Sequence, residues 1–430
     1  MIKIGLLGFG TVGSGVYEII NTCRNELKEC TGQNIEVTKI LVRDIDKYKN
    51  SYIDVNLLTI NASEILDNPN IDIVVEVIGG VEPAYSYISY ALNNEKHVVT
   101  ANKAVVSKYM KELTYLAKKN NKGLLYEASV AGGIPIIKSV KESIKINKIS
   151  RIKGILNGTT NFILSKMYDD NIGFNDALKI AHELGYAEAD PTDDIEGYDA
   201  ARKIAILSSL AFRANVSFND IACRGITSVS AFDVSMAKQM GLIVKLIGSS
   251  ILKDNKITAS VEPVLIDENS PFAAVKDAFN IVSITGNTVG ELQFYGQGAG
   301  KNPTANAVVS DIIDILNEDY KIRSSKNKDV TKISNTDRTK GRYYIRTTLD
   351  DNITTDNFLD ELNLHNLKYE VVAAGEYLVL ITEKTSSEQV AGIINSLDLP
   401  KQSCFFMRID SKNIKLIQSL ISTKAKNCAI

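Results

Sequence analysis

The chain has 430 residues, 44% of them hydrophobic and 23% charged, a length that suits about two to four domains, each with its own core. Its 49 Lys and Arg nearly cancel 51 Asp and Glu, and the net charge of −2, with no Trp and no run alternating basic and aromatic residues, gives nucleic acid no field to bind. The longest apolar runs fall far short of the ~20 residues of a membrane-spanning helix, no signal peptide opens the chain, and five cysteines, never spaced CxxC, argue against a disulfide framework or zinc site and for a reducing, cytoplasmic setting.

Residues 3–8 read as a short apolar strand, followed by a glycine-rich turn and a helical pattern to about residue 28. Residues 36–43 form a second strand, and the β-branched run 71–79 suits a strand buried in a parallel sheet. Pro83 stands near the start of the next helix, where a missing N–H costs little. Residues 97–101 are a strand, 102–121 a helix and 123–129 another strand. This alternation predicts an α/β fold, a Rossmann-type doubly wound parallel sheet over residues 1–135. The pattern then changes to longer helices and more widely spaced strands, such as 152–156 and 258–265, a second domain of α+β type over 136–302, to which the resemblance described below assigns substrate binding and dimerisation. In residues 303–317 apolar positions recur every three or four, so 303–322 is expected to hold a helix returning to the nucleotide domain. Residues 323–341, rich in Lys, Ser, Thr and Asn, read as a linker. Beyond them, 342–430 hold short strands (343–349, 368–373, 377–382, 404–409) alternating with two helices, a βαββαβ order compatible with a small ferredoxin-like module.

Gly8-Phe9-Gly10-Thr11-Val12-Gly13 is GxGxxG placed directly after a strand and opening a helix. The first glycine allows the tight turn, the second lets the backbone approach a pyrophosphate, and the third lets helix pack on strand. Helix N-terminal N–H groups, including those of Thr11 and Val12, then face phosphate. At the tip of the second strand stand Arg43, suited to a ribose 2′-phosphate, and Asp44, with Lys47 close by. Arg43 favours NADP and leaves NAD open. Lys103 follows Asn102, a candidate N-cap at the carboxyl end of a sheet strand, where ligands of open α/β sheets bind. A cation in a first helical turn opposes the helix dipole unless something negative binds nearby.

Six carboxylates crowd the twelve positions 188–199. Asp193, Asp194 and Glu196 suit a solvated acidic loop, and the spacing of an EF-hand is absent. Asp199 and Lys203 stand i and i+4 on a helix beginning near Gly197, ordinarily a surface ion pair of little worth. A Pro-restrained loop before them and an apolar helix after them favour burial, and a carboxylate beside a lysine in a cleft can hold a substrate ammonium while the lysine moves a proton. Spacing alone leaves both readings open. Asn157-Gly158-Thr159-Thr160 reads as a turn with an N-cap.

At these residues the chain resembles homoserine dehydrogenase: GFGTVGSGV, VVTANKA, YEASVAGGIP, GILNGTTNFIL, the ELGYAEADP to GYDAARK segment and GQGAGKNPTANAVVSD occur in order across residues 1–320. The resemblance implies reversible, nicotinamide-dependent reduction of L-aspartate 4-semialdehyde to L-homoserine, on the way to threonine, methionine and isoleucine. By the same resemblance Lys203 is the proton donor, Lys103 lies beside substrate and nicotinamide, Glu188 and Asp199 bind homoserine, and Gly185 and Gly300 are further cofactor contacts. A sodium-type ion at Glu127, Val130, Gly132 and Ile134 and a homodimer or higher homo-oligomer are also implied. Many members carry a C-terminal ACT regulatory domain opening with a strand and a DxPG turn; here Asp350-Asp351-Asn352-Ile353 follows the strand instead. Two other readings stand against this one. An aspartate-semialdehyde dehydrogenase needs a thiolate, for which Cys223 is the interior candidate, without a His within 40 residues. An amino-acid or redox sensor without turnover would not call for Lys103 and Lys203 together.

Overall fold

The computed structural model describes residues 1–49, 53–321, 332–334, 340–348, 355–373, 375–397 and 403–411. It forms two compact units: Met1–Ser150 with Arg202–Phe218 and Val282–Val330, and Arg151–Ala201 with Asn219–Ile281 and Thr331–Ile430.

The first unit is built on β1 (Ile2–Leu7), β2 (Ile35–Leu41), β3 (Leu58–Thr59), β4 (Ile73–Glu76), β5 (His97–Thr100) and β6 (Leu124–Leu125). Every pairing is parallel and the order is β3-β2-β1-β4-β5-β6, the doubly wound arrangement whose ligand crevice opens where the order reverses, between β1 and β4. Period-two alternation sends Ile4 and Leu6 into one core with Val16, Ile20, Val308, Ile312 and Ile315, and Leu7 into the other with Val74, Ile88, Val98 and Val105. The helix Lys301–Leu316 thus packs in the same layer as Thr11–Thr22.

Two expectations are corrected here. The helical pattern to residue 28 is two helices, Thr11–Thr22 and Arg24–Thr31. Asn21 donates to the Tyr17 carbonyl and Thr22 to that of Glu18, side-chain bonds that compete with the helical ladder and end the first helix without Gly or Pro. The strand 123–129 shrinks to Leu124–Leu125 and passes into the 3₁₀ turn Glu127–Ser129.

In the second unit Leu242–Lys253 and Lys256–Asp267 form a long antiparallel hairpin, turned at Asp254 and Asn255, both with positive φ. Ile149–Ile155 pairs with Leu242–Lys253. Cys404–Asp410 pairs in parallel with Lys256–Asp267 and continues the sheet, antiparallel, through Arg342–Thr348, Tyr377–Thr382 and Tyr369–Ala373. With helices Thr355–Leu364 and Ser387–Ser396 this is the expected βαββαβ order, its strands arranged 4-1-3-2 around Tyr343, Ile345, Phe358, Leu380 and Val390. The turn at residues 350–353 and most of 323–341 lie outside the described residues; within the latter, Lys332–Ser334 pairs with Lys256, Ile257 and Thr258. Among the described residues no helix is long and apolar enough to cross a membrane.

Candidate active site

The glycine turn leaves β1 with Gly8 at φ 105°, a conformation that disfavours any side chain. A Cβ on Gly13 would stand 2.2 Å from the Gly8 carbonyl oxygen, so only glycine lets the helix Thr11–Thr22 start this close to the strand. Gly10 is the N-cap, makes no side-chain cap, and faces open space. Helix geometry gives the N–H groups of Thr11, Val12 and Gly13 no acceptor within the helix, and with the dipole they form a cradle that fits a pyrophosphate. Gly300 is the N-cap of Lys301–Leu316 and shares this unit. Arg43 and Asp44 are exposed beyond β2, and one Asp44 oxygen accepts from the Asp46 N–H at 2.9 Å.

The neighbouring strand ends carry Lys103. Asn102 caps the helix Lys103–Lys119, its Oδ1 accepting from the N–H groups of Ala104 and Val105, which makes Lys103 the first helical residue, half-buried. Beneath it Glu76, at the end of β4, accepts from the Thr100 hydroxyl at 2.6 Å and the Ile78 N–H at 2.8 Å. Sequence reasoning passed over Glu76 because it sits inside an apolar run.

The segment implied as a cation site is buried and irregular, with Ala131 and Gly132 at φ 57° and 52°. The Glu127 carboxylate accepts from the N–H groups of Ile137 and Lys138 at 2.7 and 2.8 Å, so it caps the helix Ile136–Ser143. The Glu127 N–H donates to Asp311, whose carboxyl burial raises well above its ordinary value. Val130, Gly132 and Ile134 offer main-chain carbonyls alone. Among the described residues no group of three or more His, Cys, Asp and Glu is arranged to hold a metal ion.

The acidic segment folds into the short helix Thr192–Ile195 and enters the helix Tyr198–Phe212. Asp199 lies in the first turn of that helix and Lys203 one turn on, 2% and 8% exposed, so this is not a surface pair. Asn157 caps Gly158–Asp170 by accepting from Thr160 N–H at 2.8 Å, and its Nδ2 donates to Asp199 Oδ2 at 2.9 Å and Asp194 Oδ1 at 2.6 Å. The cap was expected; its second task of orienting Asp199 was not. Asp194 is correspondingly held, and Glu196 accepts from the Thr227 hydroxyl at 3.1 Å, so neither is a merely solvated charge. Glu188 and Gly185 are exposed, Gly185 with φ 75°, and the adjacent Tyr186 carbonyl accepts from the Thr159 hydroxyl at 2.7 Å.

Comparison with known proteins gives the family. A family model for homoserine dehydrogenase matches residues 135–313, and one for the homoserine dehydrogenase NAD-binding domain matches residues 8–127. The homoserine dehydrogenase of Bacillus subtilis (strain 168) is 45% identical over 315 residues, 73% of each chain. A crystal structure of a homoserine dehydrogenase from Thiobacillus denitrificans superposes with a TM-score of 0.86 at 36% identity, covering 95% of this chain and 98% of that one. A hyperthermophilic archaeal homoserine dehydrogenase in complex with NADPH gives a TM-score of 0.63 at 29% identity, covering 74% of this chain and 98% of that one. The chain belongs to the homoserine dehydrogenase family and is a nicotinamide-dependent oxidoreductase.

Proposed function

We propose that Lys203 is the proton donor in the reduction of L-aspartate 4-semialdehyde to L-homoserine, and that NADP is the preferred cofactor. The observation that carries the first reading is a lysine 8% exposed, one helical turn after a carboxylate 2% exposed. A bound nicotinamide supplies the hydride to the aldehyde carbon. As the carbon–oxygen double bond opens, negative charge develops on oxygen; the Lys203 ammonium stabilises it and transfers a proton, and the reverse reaction returns that proton to the amine. Asp199, oriented by Asn157, and Glu188 hold the substrate ammonium, while Lys103, at a helix start where an anion is favoured, lies beside substrate and nicotinamide. Gly8, Gly10, Thr11, Val12 and Gly13 hold the pyrophosphate, with Gly185 and Gly300 as further contacts. Exposed Arg43 at the β2 tip, with one oxygen of Asp44 already engaged, supports a 2′-phosphate.

A sodium-type ion would be held at Glu127, Val130, Gly132 and Ile134 by carbonyl oxygens of this loop and the Glu127 carboxylate, whose two oxygens each accept one N–H and keep further acceptor capacity. The division at residues 135, 302, 322 and 341, a homodimer or higher oligomer, an ACT-like role for residues 342–430 and a cytoplasmic location complete the reading.

The test is oxidation of NADPH and NADH, in parallel, by purified protein with L-aspartate 4-semialdehyde. Lys203→Ala is expected to lower kcat by about 100-fold or more with cofactor affinity retained. Retained turnover would remove Lys203 from the donor role, and equal loss of cofactor binding would mark it as a folding residue. A faster rate with NADH would overturn the cofactor assignment.

A further inference from the structure

Glu76 ends β4 fully buried, 0% exposed, at the sheet edge where ligands bind. Its carboxylate accepts from Thr100 Oγ1 at 2.6 Å, Ile78 N–H at 2.8 Å and Asn102 Nδ2 at 3.4 Å. Asn102 Nδ2 also donates to the Gly80 carbonyl at 2.7 Å, and Asn102 N–H donates to Thr100 Oγ1 at 3.0 Å. One carboxylate therefore ties together the chain leaving β4 and the chain leaving β5. The β4 exit lies against the glycine turn, since a Cβ on Gly8 would meet Val77 O at 2.9 Å and Ile78 N at 3.3 Å. The β5 exit continues through Asn102, the N-cap, into Lys103.

Backbone pairing already joins β4 to β5, so the strands do not need a carboxylate to hold them. An apolar side chain would pack this strand end without the desolvation cost of a buried charge. What only an ionised carboxylate offers is acceptance of donors from both loops at once, because its oxygens are acceptors on every side. Burial raises the Glu76 carboxyl above the ordinary carboxylate range, and the donors from Thr100, Ile78 and Asn102 oppose that rise.

We propose that Glu76 is a positioning residue for hydride transfer, fixing Asn102 and hence Lys103 against the residue 77–80 loop and the glycine turn. It acts through these groups without touching the reacting atoms. The proposal rests on the reading that Lys103 lies beside nicotinamide and substrate.

The test compares full-length wild type with Glu76→Gln, Thr100→Val and Lys103→Ala for kcat, KM and the primary isotope effect with NADPH deuterated at the transferred position. Glu76→Gln keeps the size but turns an NH2 toward the donors. It is expected to lower kcat about tenfold or more and to raise the isotope effect, because a misplaced geometry slows hydride transfer itself. Thr100→Val, which removes one donor, is expected to do the same to a smaller degree and serves if Glu76→Gln does not fold. A kcat that falls only with the folded fraction, at an unchanged isotope effect, would mark Glu76 as merely structural and overturn the proposal. So would Glu76→Gln within twofold of wild type while Lys103→Ala loses activity. Full activity in Lys103→Ala would overturn the reading of Lys103 first, and this proposal with it.

Discussion

Lys245 is a cation the proposed chemistry does not use, and its surroundings make it a reporter of the second unit's stability. It is 0% exposed on the strand Leu242–Lys253, and its ammonium donates to Val275 O at 2.6 Å, Asn161 Oδ1 at 2.8 Å and Ser165 Oγ at 3.3 Å. Burial lowers its pKa to about 7; Asp169 and Asp277 oppose the shift and Lys276 adds to it. The unfolded lysine titrates near 10.4, so between about pH 7 and pH 10 the unfolded state holds the extra proton. Stability contributed at this position therefore rises with pH through that window and is flat below it. The stability gap between wild type and Lys245→Met is expected to widen in favour of wild type by about 2 kcal/mol from pH 7 to pH 9, measured by urea unfolding. A gap that does not change with pH would show that the lysine keeps its charge when folded. At this scale the sequence was legible where a side chain acts through its neighbours in the chain, as with Gly8, Gly10 and Gly13 or the Asn102 cap. It was silent where partners come from afar: Asn157 reaches Asp199 across 42 positions, and Glu76 reaches Thr100 across 24.

At the scale of elements, one close approach sets the nucleotide unit. Thr11–Thr22 and Lys301–Leu316 lie so near each other that a Cβ on Gly15 would stand 2.9 Å from the Ala305 Cβ and 3.0 Å from the Lys301 carbonyl oxygen. Gly to Ala inside a helix ordinarily gains about 1 kcal/mol. Here the contact is with backbone and with a neighbouring Cβ, neither of which can rotate away, so overpacking of about 1–3 kcal/mol is expected to win. Gly15→Ala should lower the urea midpoint, and adding Ala305→Gly should restore part of it, a non-additivity that marks direct contact. A stabilised Gly15→Ala would show that the two helices separate freely. Strands β1, β4 and β5 were readable because β-branched runs flanked by turn residues have few other solutions. The shortened strand near residue 124 was not, since Glu127 is drawn off by Ile137, Lys138 and Asp311. The break at Cys23 escaped for a different reason: Asn21 and Thr22 fit the helical period and end the helix by their hydrogen bonds alone.

For the molecule as a whole, the βαββαβ module reads in sequence as a separate body after a polar linker, yet it is built into the second unit. Its strand Cys404–Asp410 extends the sheet beside Val264, Leu265 and Ile266. Asp233, 0% exposed and already in the capping box of Ala231–Gln239, accepts from Arg346 Nε and Tyr344 Oη, both at 2.8 Å. Glu262, buried on Lys256–Asp267, pairs with Arg224 at 2.6 Å and with Arg408 of the module at 3.3 Å, while Arg224 stacks on Phe406 at 3.8 Å. Burial works against ionisation of Asp410, but Lys153, Arg151 and Arg408 outweigh it and hold its carboxyl below the ordinary range. A chain ended at residue 341 would lose Tyr344, Arg346, Phe406, Arg408 and Asp410, while the Arg224–Glu262 pair would remain. Asp233 would be left without Arg346 and Tyr344, and an uncompensated buried charge costs about 3–5 kcal/mol. The edge of Lys256–Asp267 would also be open at Val264, Leu265 and Ile266 to pairing with another chain. The truncated protein is therefore expected to melt roughly 10 °C below the full chain in calorimetry and to self-associate in sedimentation. Melting within a degree or two of the full chain, as a monodisperse species, would instead make the module an appendage whose buried ion pairs contribute nothing to the rest.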